Sequence, residues 1–141
     1  MFRINDVYKF HGEDYRLLTI TPSHIIWIDL TPPNANPFLI EKKELLTAIE
    51  AGEAEIIEDP FADIVLINVK EDSVQQQKRD IGMNIIDLLI SNENFYDPSI
   101  RFSLVKTIIK QHKTTHQTIY RLARRYWQRG QTANALILSY K

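Results

Sequence analysis

The sequence predicts an α+β chain. A small N-terminal β-meander or barrel-like subdomain with a short helix comes first, then a three-helix helix-turn-helix module. Three observations carry that expectation. Short apolar runs separated by turn residues fill residues 1–40. Apolar residues recur at helical spacing in three later segments, the last two joined by about three residues. All 18 acidic residues fall within residues 1–97, so residues 98–141 hold 9 basic residues and no acid. The expected division is 1–70 for the β-rich part and 71–141 for the helical part.

Taken in order, Val7 to Phe10 and Tyr15 to Ile20 flank His11-Gly12-Glu13-Asp14 and read as a hairpin with Gly in its turn. Thr21-Pro22-Ser23 turns the chain into a third strand, His24 to Leu30. Thr31 to Pro37 contains three prolines, which fix φ and remove donors, so it can only be a loop. Phe38-Leu39-Ile40 follows as a fourth strand. Lys42 to Ala51 reads as a helix with Leu45, Leu46 and Ile49 on one face and Gly52 ending it. Glu53 to Glu58 returns as a strand, and the apolar run Ile64 to Val69 suggests another.

Polar residues 71–80 lead into a helix from about Ser73 to Ile90, with Ile81, Ile85, Leu88 and Leu89 as its apolar stripe. Asp97-Pro98 starts the next helix, Asp as cap and Pro in the first turn, where a missing N–H costs nothing. Ile100, Leu104 and Ile108, with Val105 beside them, form its buried stripe as far as Gln111. His112-Lys113-Thr114 makes the turn. After the last helix, Gln131 to Ile137 reads as a cap or short helix, and the chain stops at Tyr140-Lys141 without a stop-like tail, which predicts a fragment of something longer.

The helix of most interest lies within KTTHQTIYRLARRYWQRG, Lys113 to Gly130. Thr114 or Thr115 can cap its start, because a hydroxyl accepts from free N–H groups of the first turn. Gly130 suits the left-handed residue that commonly closes a helix. Ile119, Leu122, Ala123 and Tyr126 gather on one side, while Gln117, Arg121, Arg124 and Gln128 gather opposite, flanked by Tyr120 and Arg125. In a helix-turn-helix the first turns of the second helix enter the major groove. That assigns Thr115, His116, Gln117, Tyr120 and Arg121 to the bases: Gln117 for adenine, Arg121 for guanine. Lys113, Thr114, Arg124, Arg125 and Arg129 are placed for phosphates. The bland alternative is a solvated charged face, or pairing of Arg124 and Arg125 with the acidic front. Tyr126 and Trp127 read as packing residues. His112 and His116 lack a third ligand nearby, so no metal site is expected.

Composition narrows the classes. The net charge of −1 divides into −10 over residues 1–97, from 8 basic and 18 acidic residues, and +9 over the remainder. A basic segment without carboxylates is the footprint expected of a polyanion binder. With no cysteine there are no disulfides, thiolate metal sites or thiol nucleophiles. The chain opens without a signal peptide's apolar run and contains no membrane-length apolar stretch, so a soluble, cytoplasmic protein is expected. Its four glycines are too scattered for a phosphate-cradling loop, and nothing forces its carboxylates to converge. No catalytic residue and no cofactor are expected.

The segments INDVYKFHGEDYRLLTI, IIWIDL, DPSIRFSLV and above all HKTTHQTIYRLARRYWQRGQTANALI resemble the N-terminal region of TnsB-type transposases of bacterial heteromeric cut-and-paste transposons. The resemblance implies binding to repeated sites at transposon ends, carried by the helix Thr115–Arg129, at the bacterial nucleoid. It also implies that the parent's Mg²⁺-dependent chemistry lies in a later, integrase-related domain with a DDE carboxylate triad, which this chain does not contain. The leading expectation is therefore a sequence-specific double-stranded DNA-binding module without enzymatic activity. The rivals are a protein-interaction module that docks other transposition subunits, and a free-standing helix-turn-helix regulator.

Overall fold

The computed structural model describes residues 1–137. Tyr140 and Lys141, where the ending without a tail was read, lie outside them. Five antiparallel strands come first: β1 (Val7–Phe10), β2 (Glu13–Ile20), β3 (His24–Asp29), β4 (Phe38–Glu41) and, after helix α1 (Lys42–Glu50), β5 (Ala54–Ile57). Their spatial order is β4-β3-β2-β1-β5, so the chain runs as a meander and β5 returns to pair with β1. Three longer helices follow: α2 (Val74–Ile90), α3 (Pro98–His112) and α4 (His116–Gln128), with a 3-10 turn at Ala133–Leu136.

The sheet is buried on both faces, which explains why β3 reads as an unbroken apolar run instead of alternating. On one face Tyr8, Leu17, Ile25, Trp27 and Ile40 enclose a core with Leu45 and Ala48 of α1. On the other, Leu18, Ile26 and Ile28 join Ile86, Leu89, Val105, Ile108, Ile119, Ala123 and Trp127 of the three long helices. Sheet and helices therefore share a hydrophobic core. A register shift between Leu17 and Thr19 in the β2–β3 pairing accompanies the change of face.

Arg16 lies on the helix-facing side of β2, directly opposite Ile28, and is fully buried. Its guanidinium donates to both Asp59 carboxylate oxygens at 2.8 Å, to the Asn5 carbonyl at 3.1 Å and to the Gln128 carbonyl at 3.2 Å. A cation at the last carbonyl of α4 also complements the helix dipole. Gly130, at φ 113°, turns the chain sharply just beyond, with the Arg16 guanidinium 4.0 Å from where its side chain would begin. That conformation admits glycine and strains other residues.

Several sequence expectations need correction. The apolar run from Ile64 is no strand: Ile64–Leu66 forms a 3-10 turn whose carbonyls face the Asn134 side-chain amide, not a neighbouring strand. In α2 the buried positions are Gly82, Ile86 and Leu89, while Ile81 and Leu88 are exposed. The doublets Ile85-Ile86 and Leu88-Leu89 permit either register. Gly82 selects one, because a side chain there would start 3.0 Å from Leu136 and 3.5 Å from Leu122. In α3 the buried residues are Arg101, Val105 and Ile108, with Ile100 and Leu104 only partly covered. The Arg101 guanidinium turns back to the Phe95 and Tyr96 carbonyls at 3.2 and 3.1 Å, which rotates the stripe. In α1, Leu46 is exposed and Ala48 takes the buried place.

The Asp59–Arg16 pair has a pH signature. Burial pushes the Asp59 carboxyl up, but the Arg16 bonds and the Phe61 N–H outweigh it and hold the group below its ordinary value. A depressed carboxyl contributes stability above its unfolded pKa of about 3.9 and loses it as pH falls toward the folded value. Asp59→Asn leaves a buried guanidinium short of its counter-charge and is expected to cost about 3 kcal/mol at neutral pH. Urea melts at pH 7 and pH 3 check this: the gap between wild type and variant should shrink in acid, and an equal gap at both pH values counts against the pair.

Candidate nucleic-acid interface

The turn between α3 and α4 is set by one residue in the left-handed conformation, Lys113 at φ 51° and ψ 47°, whose N–H closes α3 on the Ile109 carbonyl. Thr115 then adopts extended backbone, and its hydroxyl accepts from Thr118 N–H at 3.2 Å, so Thr115 rather than Thr114 is the cap. At the far end the Gln131 N–H reaches back to the Tyr126 carbonyl at 2.8 Å, a Schellman-type closure around Gly130. Ile119, Ala123 and Trp127 bury one stripe of α4, and Trp127 stacks on Phe95 at 5.5 Å between ring centroids. Leu122 and Tyr126 are partly buried against the same core.

The polar side of α4 divides along its length. Lys113, Thr115, His116, Gln117 and Arg121 are exposed, while Thr114 and Tyr120 are half-buried. The His116 ring lies parallel to Phe102 of α3, with centroids 6.1 Å apart, and Lys106 sits 5.1 Å above that same Phe102 ring. Gln117 and Arg121, one turn apart, form an exposed pair of an amide and a guanidinium. Those groups can bond two-pronged to base edges or to phosphate oxygens.

The C-terminal half is different. The Gln128 amide donates to the Asp29 and Pro32 carbonyls at 3.0 and 2.8 Å. Arg124 Nε donates to the Ala35 carbonyl at 2.8 Å, and its guanidinium lies 5.3 Å over the Tyr120 ring. Both side chains, expected on the outer face with Gln117, instead fasten the loop between β3 and β4 to the helix. Arg129 stacks 5.6 Å from the Phe61 ring centre. Arg125 is half-buried, and its Nη1 is shielded from solvent without a hydrogen-bond partner. Burial, with Arg129 and Arg121 close by, pushes its guanidinium below the ordinary value. Burial does the same at Arg124.

Residues 1–60 match the TnsB N-terminal SH3-like domain, and residues 79–140 match the TnsB second domain. Over all 141 residues the chain is 36% identical to the transposon Tn7 transposition protein TnsB of Escherichia coli. The chain belongs to the TnsB family. It spans 20% of the length of that relative and carries the two domains named above. No described helix of this TnsB-type segment is long and apolar enough to cross a membrane.

Sequence reasoning missed the residues that aim α4: Arg16, Asp59 and the carbonyls of the proline loop. A lone arginine between Tyr15 and Leu17 in a strand was the available signal, since a charge at a strand position among apolar neighbours needs a buried partner. Nothing in residue type announces that Gln128 serves backbone carbonyls. Gln128→Leu keeps the bulk and removes both bonds, so it should cost about 2 kcal/mol. It should also raise hydrogen exchange at Ala35 N–H, which now bonds within the loop to the Pro32 carbonyl at 3.3 Å. An unchanged Ala35 exchange rate would show that the loop holds without the helix.

Proposed function

We propose that this chain binds double-stranded DNA sequence-specifically and recognises repeats at transposon ends, as the N-terminal part of a TnsB-type transposase. The observation that carries the reading is the exposed first half of α4. It presents Gln117 and Arg121 behind a tight three-residue turn, within a segment that has no carboxylate from 98 to 141. A helix entering a major groove contacts base edges with residues of its first turns, which is where these two stand. In this reading Gln117, Arg121 and His116 face bases, with Tyr120 beside them. Lys113, Thr114 and Thr115 meet the backbone, and Arg124, Arg125 and Arg129 raise the positive potential nearby.

Membership in the TnsB family and the Tn7 relative's description as a transposition protein support a transposon end as the target. Residues 1–70 form the sheet subdomain and residues 71–141 the reading subdomain. No residue of this chain is assigned a part in strand cutting or joining.

Selection from a pool of random duplexes tests the reading. A preferred duplex should emerge and bind more tightly than its scrambled counterpart, and its affinity should fall steeply with salt, because binding releases phosphate counterions and added salt lowers that gain. Arg121→Ala should cost about 1–3 kcal/mol on the preferred duplex and relax one base position, while Lys113→Ala should weaken both duplexes alike and lower the salt slope by about 1. Equal affinity for selected and scrambled duplexes removes sequence reading. A selected duplex matching the repeated end of the encoding element supports the transposon assignment, and a match elsewhere overturns it.

A further inference from the structure

The β3–β4 loop stands beside the last two turns of α4, although it belongs to the acidic half of the sequence. Pro33 of this loop and Arg121, Arg124, Arg125, Gln128 and Arg129 line one cleft of about 210 Å³. The loop cannot drift from the helix, because Gln128 and Arg124 hold its carbonyls at 2.8–3.0 Å. Thr31, Pro33, Asn34 and Asn36 remain exposed. Asp29, at its root, accepts from Thr31 N–H at 3.0 Å, which occupies one of its carboxylate oxygens locally.

The cleft is strongly basic. Four of its six lining side chains are arginines. Arg125 is one of them, and its Nη1 is shielded from solvent and bonds to nothing. A desolvated charged donor without a partner is costly, so the Arg125 side chain gains by turning onto an anion in the cleft. The position also fits a duplex. Arg125 is eight residues beyond Gln117, about 12 Å along the helix axis. The major groove is ~12 Å wide, so a helix whose first turns are in the groove brings its last turns to the groove wall.

We propose that the β3–β4 loop is a second DNA-contacting element, clamped to α4 so that Pro33 and the arginines of the cleft grip one backbone phosphate at the groove edge. The proposal builds on the DNA-binding reading above and changes it. The acidic sheet domain becomes part of the DNA surface through one neutral, proline-stiffened loop. Gln128 and Arg124 act as positioning residues for that loop.

The test uses the whole chain, the selected duplex and its scrambled counterpart. Single phosphates of the selected duplex are replaced by neutral methylphosphonates. Beside the positions contacted by Lys113 and its neighbours, wild type should lose about tenfold in affinity at one further position, the charge-assisted bonds there being lost. Arg125→Gln should already be weaker and should lose nothing further at that position. Pro33→Glu, at an exposed site where folding is undisturbed, should weaken selected and scrambled duplexes alike. If Arg125→Gln fails to give a native circular dichroism melt, Pro33→Glu decides alone. Unchanged affinity of Pro33→Glu, with sequence preference intact in wild type, overturns the cleft and leaves the DNA reading standing. Failure of wild type to retain any duplex overturns both.

Discussion

The Arg16 guanidinium holds together three parts of the chain that lie far apart in sequence. From the middle of β2 it bonds to the Asp59 carboxylate beyond β5, to the Asn5 carbonyl before β1 and to the Gln128 carbonyl at the end of α4. A fully buried charge is tolerated only when its donors are occupied, and here the partners come from three separate segments. Much follows from this one group. The exit of α4 is held at the sheet, Gly130 turns beside the guanidinium, and Gln131 reaches the Asn5 side chain and the Leu18 carbonyl at 2.9 and 3.2 Å. The direction in which α4 points is thus set partly from inside the β domain.

Local chemistry made most elements readable in advance. Asp97-Pro98 opens α3, and the Asp97 side chain accepts from Ser99 and Ile100 N–H as a cap should. The strands of residues 1–40, the helix at Lys42 and the strand at Ala54 all follow from short apolar runs and turn residues. Tertiary facts resisted. The α2 stripe was off by one position because adjacent apolar doublets offer two registers and only the close approach at Gly82 distinguishes them. The supposed strand at Ile64 had the right composition and no partner, since its carbonyls go to Asn134. On α4, an angular count separated polar from apolar positions correctly. It carried no information that a proline loop 89 to 99 residues away would occupy Arg124 and Gln128.

That division of α4 has a physical logic. Residues free to exchange partners stand at its start, where backbone N–H groups and flexible side chains face outward. Residues committed to carbonyls stand at its end, where the helix meets the sheet. A reading element benefits when its side chains are adjustable and its axis is not, because an axis held in place removes the ordering cost from binding. The aromatic pair Phe95 and Trp127 serves the same end by filling the space beneath the helix.

The two-faced burial of the sheet also matters while the protein is being made. Translation delivers β1 to β5 first, and these strands can pair and close over α1 early, since all their strand partners lie within residues 7–57. The opposite face, with Leu18, Ile26 and Ile28, is not fully covered until the three long helices, ending with α4, arrive. Arg16 waits as long for the Gln128 carbonyl. The nascent chain therefore carries a wet apolar surface and an incompletely bonded guanidinium until α4 has been made, the condition under which folding intermediates attract chaperones or each other. Completion depends on the arrival of the helix that holds Gln117 and Arg121.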